Sequence, residues 1–422
     1  MLGRPIINLQ PLSGEESDRL IVHLLGSSGL PKLAQKQIRE TAAGNPLFIE
    51  QILSMLADEG YDVPGGTRRP RARDLPSFTM PPSISALLSA RLDGLPAEER
   101  AIIERASVPG QVFARAAVVE LCDAPLRPRV DTCLHALTRK AFVEWSQDSP
   151  SHESGPFRFR HALIRDTAYG AMLKKLRAEL HERFGNWLET LNKGAFEYEE
   201  ILGYHLEQAY RYRTELGPPD DHAVLLGHRA ARSLASAGRR ALTRGDVGAA
   251  VKLLCRVGAL LPPGDPERPA VMVDLGGALR ENGDHATAID VLDQAVSEAK
   301  SRGDTGLECR ALVERFEVGM KLGTPGWPDR AWTEAHRLIP RLEATGDDFG
   351  LAKTWRMLSW VHAAHGSMAG WDQASQRAIE YARKAGNHRE EIEVLAGLSV
   401  SAIYGPLPSA RESAAAKKSS AR

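Results

Sequence analysis

Ala278-Leu279-Arg280-Glu281-Asn282-Gly283-Asp284-His285-Ala286-Thr287-Ala288 reads as one helix that stops and another that starts. Gly283 breaks the run, and Ala278, Ala286 and Ala288 keep the crossing surfaces small enough for two helices to pack closely. The pattern recurs outward from this point. Gly245-Asp246, Gly283-Asp284, Gly323 and Gly366 follow one another at 38, 40 and 43 residues. A second series, Gly303-Asp304, Gly346-Asp347 and Gly386-Asn387, falls between them at 43 and 40. Two interleaved series of this kind mark the turn inside each helical hairpin and the turn to the next. Residues 231–408 are therefore predicted to be a stack of helical hairpins, an α-solenoid.

The units are tetratricopeptide-like, slightly longer than the usual period of about 34 residues. Such a stack offers a concave groove, where a protein or peptide partner is expected. Trp332, Trp355, Trp360 and Trp371 read as inter-helix packing residues, with a peptide-binding aromatic platform as the sharper alternative. Residues 409–422, rich in Ala, Ser and Lys, read as a disordered tail.

Composition supports a mainly α protein. The 422 residues are 43% hydrophobic but only 6% aromatic, and Val/Ile/Tyr/Phe runs are scarce. Lys plus Arg and Asp plus Glu are 54 each, a balance that argues against a dedicated DNA binder or a polybasic membrane binder. No apolar run approaches the ~18 residues of a membrane span, and the first nine residues lack the regions of a signal peptide. The expected location is the cytoplasm. Cys122, Cys133, Cys255 and Cys309 have no metal-ligand spacing and read as buried, reduced side chains. His181 and His205 lie on helices without an i, i+4 partner, as surface or capping histidines do.

Upstream of the repeats the pattern changes twice. Pro5–Leu9 reads as a short strand, and Ser13-Gly14-Glu15-Glu16 as a capping box. Helices follow to Gly26, over about Pro31–Ala43, and from Pro46 to Gly60. Residues 62–82 are a Pro/Gly/Arg-rich linker carrying Arg68, Arg69, Arg71 and Arg73. Over 83–175, helices at about Ile84–Leu92, Ala97–Ala106, Ala114–Leu121 and Arg127–Lys140 precede a β-hairpin of Ala141–Trp145 and Phe157–Phe159. That is the plan of a winged helix. The last helix before the hairpin carries basic residues but also Asp131 and an apolar face, which argues against DNA reading. A helical connector fills 176–230.

Three stretches together carry a resemblance. They are Gly44-Asn45-Pro46-Leu47-Phe48-Ile49-Glu50-Gln51; Phe157-Arg158-Phe159-Arg160-His161-Ala162-Leu163-Ile164-Arg165-Asp166-Thr167-Ala168-Tyr169; and Gly203-Tyr204-His205-Leu206-Glu207-Gln208-Ala209. In this order and spacing the chain resembles the STAND class of AAA+-related signalling ATPases. The likeness is to the large bacterial proteins that join a nucleotide cyclase or other effector to an ATPase, a winged helix and tetratricopeptide repeats. The resemblance implies that residues 1–61 are the last strand and lid helices of the ATPase domain. It also implies adenine packing on Pro46 with Asn45 beside it, and a contact from His161 to the β-phosphate of ADP. Ala162 stands where the plant and animal immune members carry Asp.

Nothing in the sequence matches GxxxxGK[ST], and no apolar strand ends in an acidic pair for Mg²⁺. By this reading the chain is the C-terminal part of such a protein, not an enzyme on its own and with no cofactor of its own. ATP or ADP would belong to the complete family protein, and the missing P-loop half would be a partner. The alternative readings are a free-standing interaction scaffold and a winged-helix transcription regulator.

Overall fold

Ser13 opens the first helix as its sequence predicts. Its Oγ accepts the Glu16 N–H at 3.3 Å, and Glu16 Oε2 accepts the Ser13 N–H at 2.8 Å. The computed structural model describes residues 9–25, 30–58, 82–146, 156–191 and 198–404. The expected strand at 5–9 (Leu9 apart), the helix stops at Gly26 and Gly60, all but the last residue of the 62–82 linker, and the 409–422 tail lie outside the described residues.

The fold is mainly α. By packing, the chain divides into two units, residues 1–193 with 208–223, and residues 194–207 with 224–422. In the first, α1 (Gly14–Leu25), α2 (Lys32–Ala42) and α3 (Pro46–Asp58) bury Ile21, Ile38, Ile49, Ile52 and Leu56 in one cluster. Leu87 of α4 (Ile84–Asp93) joins that cluster, while Leu88 and Leu92 from the other side of α4 enter a second. The second cluster is completed by α5 (Ala97–Ala106), α6 (Arg115–Leu121), α7 (Val130–Arg139), α8 (Ala162–Ala171) and a small sheet. Arg91 ties the two together. Its guanidinium bonds the Gln51 side chain and the Lys140 carbonyl (2.8 Å) and lies 4.5 Å from the centre of the Phe142 ring.

The sheet differs from its sequence reading. The hairpin forms between β2 (Val143–Trp145) and β3 (Phe157–Phe159), but Val112–Phe113 adds a further strand, β1, on the other side of β3. Two residues of extended chain are too short to show a period in the sequence. Ala141, expected in the strand, has a left-handed backbone (φ 60°), and the expected helix start at Arg127–Arg129 is a 3₁₀ turn.

After α9 (Lys174–Leu191) and α10 (Glu199–Leu216) come α11 (Asp221–Thr243), α12 (Val247–Leu260), α13 (Arg268–Asn282), α14 (His285–Arg302) and α15 (Thr305–Lys321). They continue into α16 (Trp327–Thr345), α17 (Asp348–Ala364), α18 (Met368–Lys384) and α19 (His388–Tyr404). All seven glycines of the two interleaved series fall between helices with positive φ, from 61° to 85°. The polar residue after glycine then caps the next helix. Asp246, Asp284, Asp304 and Asp347 each accept the N–H three residues on, at 3.0–3.3 Å, and Ser367 and Asn387 do the same. A left-handed stop and a side-chain cap in two adjacent residues turn the chain with almost no loop. Close helix approach needs small residues too. At Gly276 of α13 a Cβ would sit 2.4 Å from Leu292 Cγ of α14.

Candidate functional site

The nucleotide-contact residues implied by the family resemblance have local structural work in this fold. Asn45 accepts the Phe48 N–H through Oδ1 (3.2 Å), so it is the N-cap of α3, and Pro46 fills the first helical position, where its missing N–H costs nothing. Both are exposed. His161 caps α8, its Nδ1 accepting the Leu163 N–H at 3.1 Å. Among the described residues no hydrogen bond or ion pair joins Asn45 or Pro46 to His161.

The chemistry of the second unit concentrates on the first helix of each hairpin. Spacing along these helices brings like positions of α13, α15, α17 and α19 side by side. Arg280 reaches Glu314 Oε2 and Glu317 Oε2, both at 3.2 Å. Lys353 bonds Glu314. Arg356 bonds Glu317 and Glu390 and lies 3.3 Å from Glu393. Arg389 bonds Glu281 and lies 3.3 Å from Glu393, while Arg239 pairs with Asp274 at 3.0 Å. The pairs at the centre are not surface pairs, since Glu314, Glu317, Lys353 and Glu390 are all buried, whereas the Arg239–Asp274 pair is partly exposed.

Burial alone would push the Glu314 carboxyl up, but the charges of Lys353 and Arg280 outweigh it and hold it down at about 2. Lys353 is likewise held above the ordinary lysine value, its burial overcome by Glu314, Glu317 and Glu390. Asp274 and Glu390 go the other way. Burial pushes both up, and their Arg partners offset only part of it.

Above this ionic floor lies a cavity of about 860 Å³. Arg280, Glu317 and Arg356 form its base, and Met320, Trp327 and Trp360 its apolar wall. Arg389 does not line it but pairs with Glu281 and Glu393, which do. From the first turn of α19 it bonds the Leu242 carbonyl at the end of α11 and Glu281 of α13, joining residues 147 and 108 positions apart. The solenoid thus curves until its ends meet.

A family model described as Domain of unknown function (DUF8739) matches residues 13–60, the α1–α3 segment. No curated protein matches the chain. Among solved structures, the chain is similar to a STAND protein with a tetratricopeptide repeat sensor from Pyrococcus horikoshii, at 13% identity and a TM-score of 0.34. That match covers 93% of this chain, which spans 58% of the other's length. It is also similar to aspartyl phosphate phosphatase F from Bacillus subtilis, at 11% identity and a TM-score of 0.37, covering 92% of this chain and 79% of that one. The helical-repeat architecture rests on this chain's own backbone geometry.

The groove network escaped the sequence reading because its central partners lie 34 to 39 positions apart and Arg389 and Glu281 108 apart. A spacing close to the glycine interval was the one available signal. Further readings need correction. His181 and His205 are buried, not at the surface. His181 Nε2 lies 2.8 Å from the Tyr169 hydroxyl, which in turn contacts the Tyr212 hydroxyl at 2.9 Å. Cys255 is exposed, whereas Cys122, Cys133 and Cys309 are buried as expected. Trp371 packs inside, but Trp332 and Trp360 are more than one-third exposed. Among the described residues no helix is long and apolar enough to cross a membrane, and no cluster suits a metal ion.

Proposed function

We propose that this chain is the regulatory and sensor portion of a STAND-type, ATP-dependent signalling protein, with its repeats receiving a protein or peptide partner. The observation that carries the sensor half of this reading is the open groove, a cavity of about 860 Å³ with a charged base and an aromatic wall. The STAND half rests on the Gly44–Gln51 and Phe157–Tyr169 motifs. ATP binding belongs to the complete family protein, and the α4–α8 module is read as its winged helix.

Because no P-loop is present, nucleotide affinity in this chain should be no better than about millimolar. At about 1 mM ADP the stabilisation is then RT ln 2, roughly 0.4 kcal/mol, and a thermal-shift titration is expected to be flat. Micromolar ADP binding would overturn the assignment of phosphate binding to a separate half.

The transcription-regulator reading is disfavoured by specific pairs. On and beside α7, Arg115 is held by Asp131, Arg129 by Glu98 (3.3 Å) and Lys140 by Glu99 (2.8 Å), which leaves Arg139 as the exposed cation of that helix without a carboxylate beside it among the described residues. Duplex DNA is expected to bind with a Kd of about 10 µM or weaker at physiological salt, as for non-specific ligands. Sub-micromolar binding by fluorescence anisotropy would restore the regulator. The scaffold reading differs from the sensor reading only in lacking the ATPase half. Adding a family P-loop fragment in trans tests it, because a scaffold gains no ADP response.

A further inference from the structure

The groove network is not electrically balanced. Its five cations, Arg239, Arg280, Lys353, Arg356 and Arg389, face six carboxylates, the odd one arising because the single cation Arg356 serves Glu317, Glu390 and Glu393. Glu317 is 1% exposed and lines the cavity, yet its Oε2 accepts no hydrogen bond; Arg280 approaches it only as an ionic neighbour at 3.2 Å. A buried carboxylate oxygen without a donor is costly unless something supplies one. Glu393, at the same cavity, keeps a 35% exposed side chain. The cavity lining itself carries Arg280, Arg356 and the exposed Lys321 against Glu281, Glu317 and Glu393, so the unmet demand is local to the Glu317 carboxylate rather than a net charge of the lining.

The wall supplies the complementary half. Trp327 and Trp360 line the same space, and indole faces attract cations as well as apolar side chains. We propose that the cavity is a binding site for a short peptide segment bearing a basic side chain next to an aromatic or aliphatic one. The cation would sit over the Glu317–Glu393 side and the apolar neighbour against Trp327 and Trp360. A volume of about 860 Å³ suits a ligand of a few residues. The inference rests on the groove being the partner-binding surface and adds the chemistry of what it takes.

The test uses the full chain and three probes of one shape: acetyl-Leu-Arg-Phe-amide, its neutral citrulline counterpart, and acetyl-Leu-Glu-Phe-amide. Isothermal titration calorimetry is expected to rank arginine about tenfold above citrulline, with the glutamate peptide weakest. Glu317→Gln should remove most of that preference, and Trp360→Ala should weaken all three peptides. Should Glu317→Gln fail to fold by circular dichroism, Glu393→Gln at the rim replaces it, with a several-fold loss of the arginine peptide expected. Equal affinity for the arginine and citrulline peptides, a preference for glutamate, or no binding of any probe at 5 mM (about −3 kcal/mol) overturns the proposal. A macromolecular partner that is lost on Trp360→Ala while the peptides are ignored overturns only the ligand class and leaves the groove as the partner surface.

Discussion

Glu314→Ala is expected to lower the unfolding free energy of the repeat unit by about 3–5 kcal/mol, because it leaves buried cations without their carboxylate. Glu314 is 4% exposed and bonds both Arg280 and Lys353. Lys353 would keep only the more distant influence of Glu317 and Glu390. For a unit of this size the loss corresponds to a fall in Tm of about 6–20 °C. The double variant Glu314→Leu with Lys353→Met should recover much of it, since a buried pair replaced by apolar residues is often neutral. Denaturant titration of the two variants against the parent decides the matter. A loss below about 1 kcal/mol in the single variant means that water screens the network, as it does at a surface.

The same network sets the pH response. Glu314 is held below its ordinary range, so its contribution is complete above about 4.5 and is lost as pH falls toward about 2. Asp274 and Glu390 have raised values, so the folded state takes up their protons first and stability increases slightly as pH falls through that range. The repeat unit is therefore expected to lose stability as pH falls below about 4.5, with a smaller opposing gain where Asp274 and Glu390 take up protons. A profile of denaturation midpoints from pH 3 to 8 reads both effects, and Glu390→Gln should remove part of the opposing gain while leaving the acid loss.

The difference between what the sequence showed and what it hid follows from the range of each interaction. The helix turns were legible because stop and start lie in adjacent residues, as in Gly283-Asp284, where left-handed backbone and side-chain cap are both local. The capping box at Ser13 and the start of α3 at Pro46 are local in the same sense. Strand β1 was missed because its formation depends on Phe157 and Arg158, more than forty residues away. The ionic floor was missed for a related reason. Glu314, Glu317 and Arg356 read along their own helices as an ordinary charged face, and only the superhelical curvature, closed by Arg389 on Leu242, turns that face inward. Asn45, Pro46 and His161 show the converse, for the motif was legible, and the structure adds the local caps that Asn45 and His161 form.

Gly44→Ala should be the most damaging substitution in the Gly44-Asn45-Pro46 turn, costing roughly 3 kcal/mol or more. Gly44 has φ +77°, where an L side chain is strained by about 1–2 kcal/mol. A Cβ there would lie 2.4 Å from the Leu12 carbonyl oxygen and 2.9 Å from the Leu12 nitrogen, and backbone cannot swing aside as a side chain can. The segment before α1 is held at this point, since the Leu12 N–H donates to the Gly44 carbonyl at 2.8 Å. The substitution therefore breaks a seat for residues 11–12 as well as a turn. Asn45→Ala loses only a cap, about 1 kcal/mol. Pro46→Ala, at an exposed first helical position, should change stability by less than about 0.5 kcal/mol. This order, read by chemical denaturation, should be the same with and without 1 mM ADP if the turn acts through packing alone. An ADP-dependent loss in Pro46→Ala, with none in the free chain, would instead give the proline a ligand, and the steric account of the motif would no longer suffice.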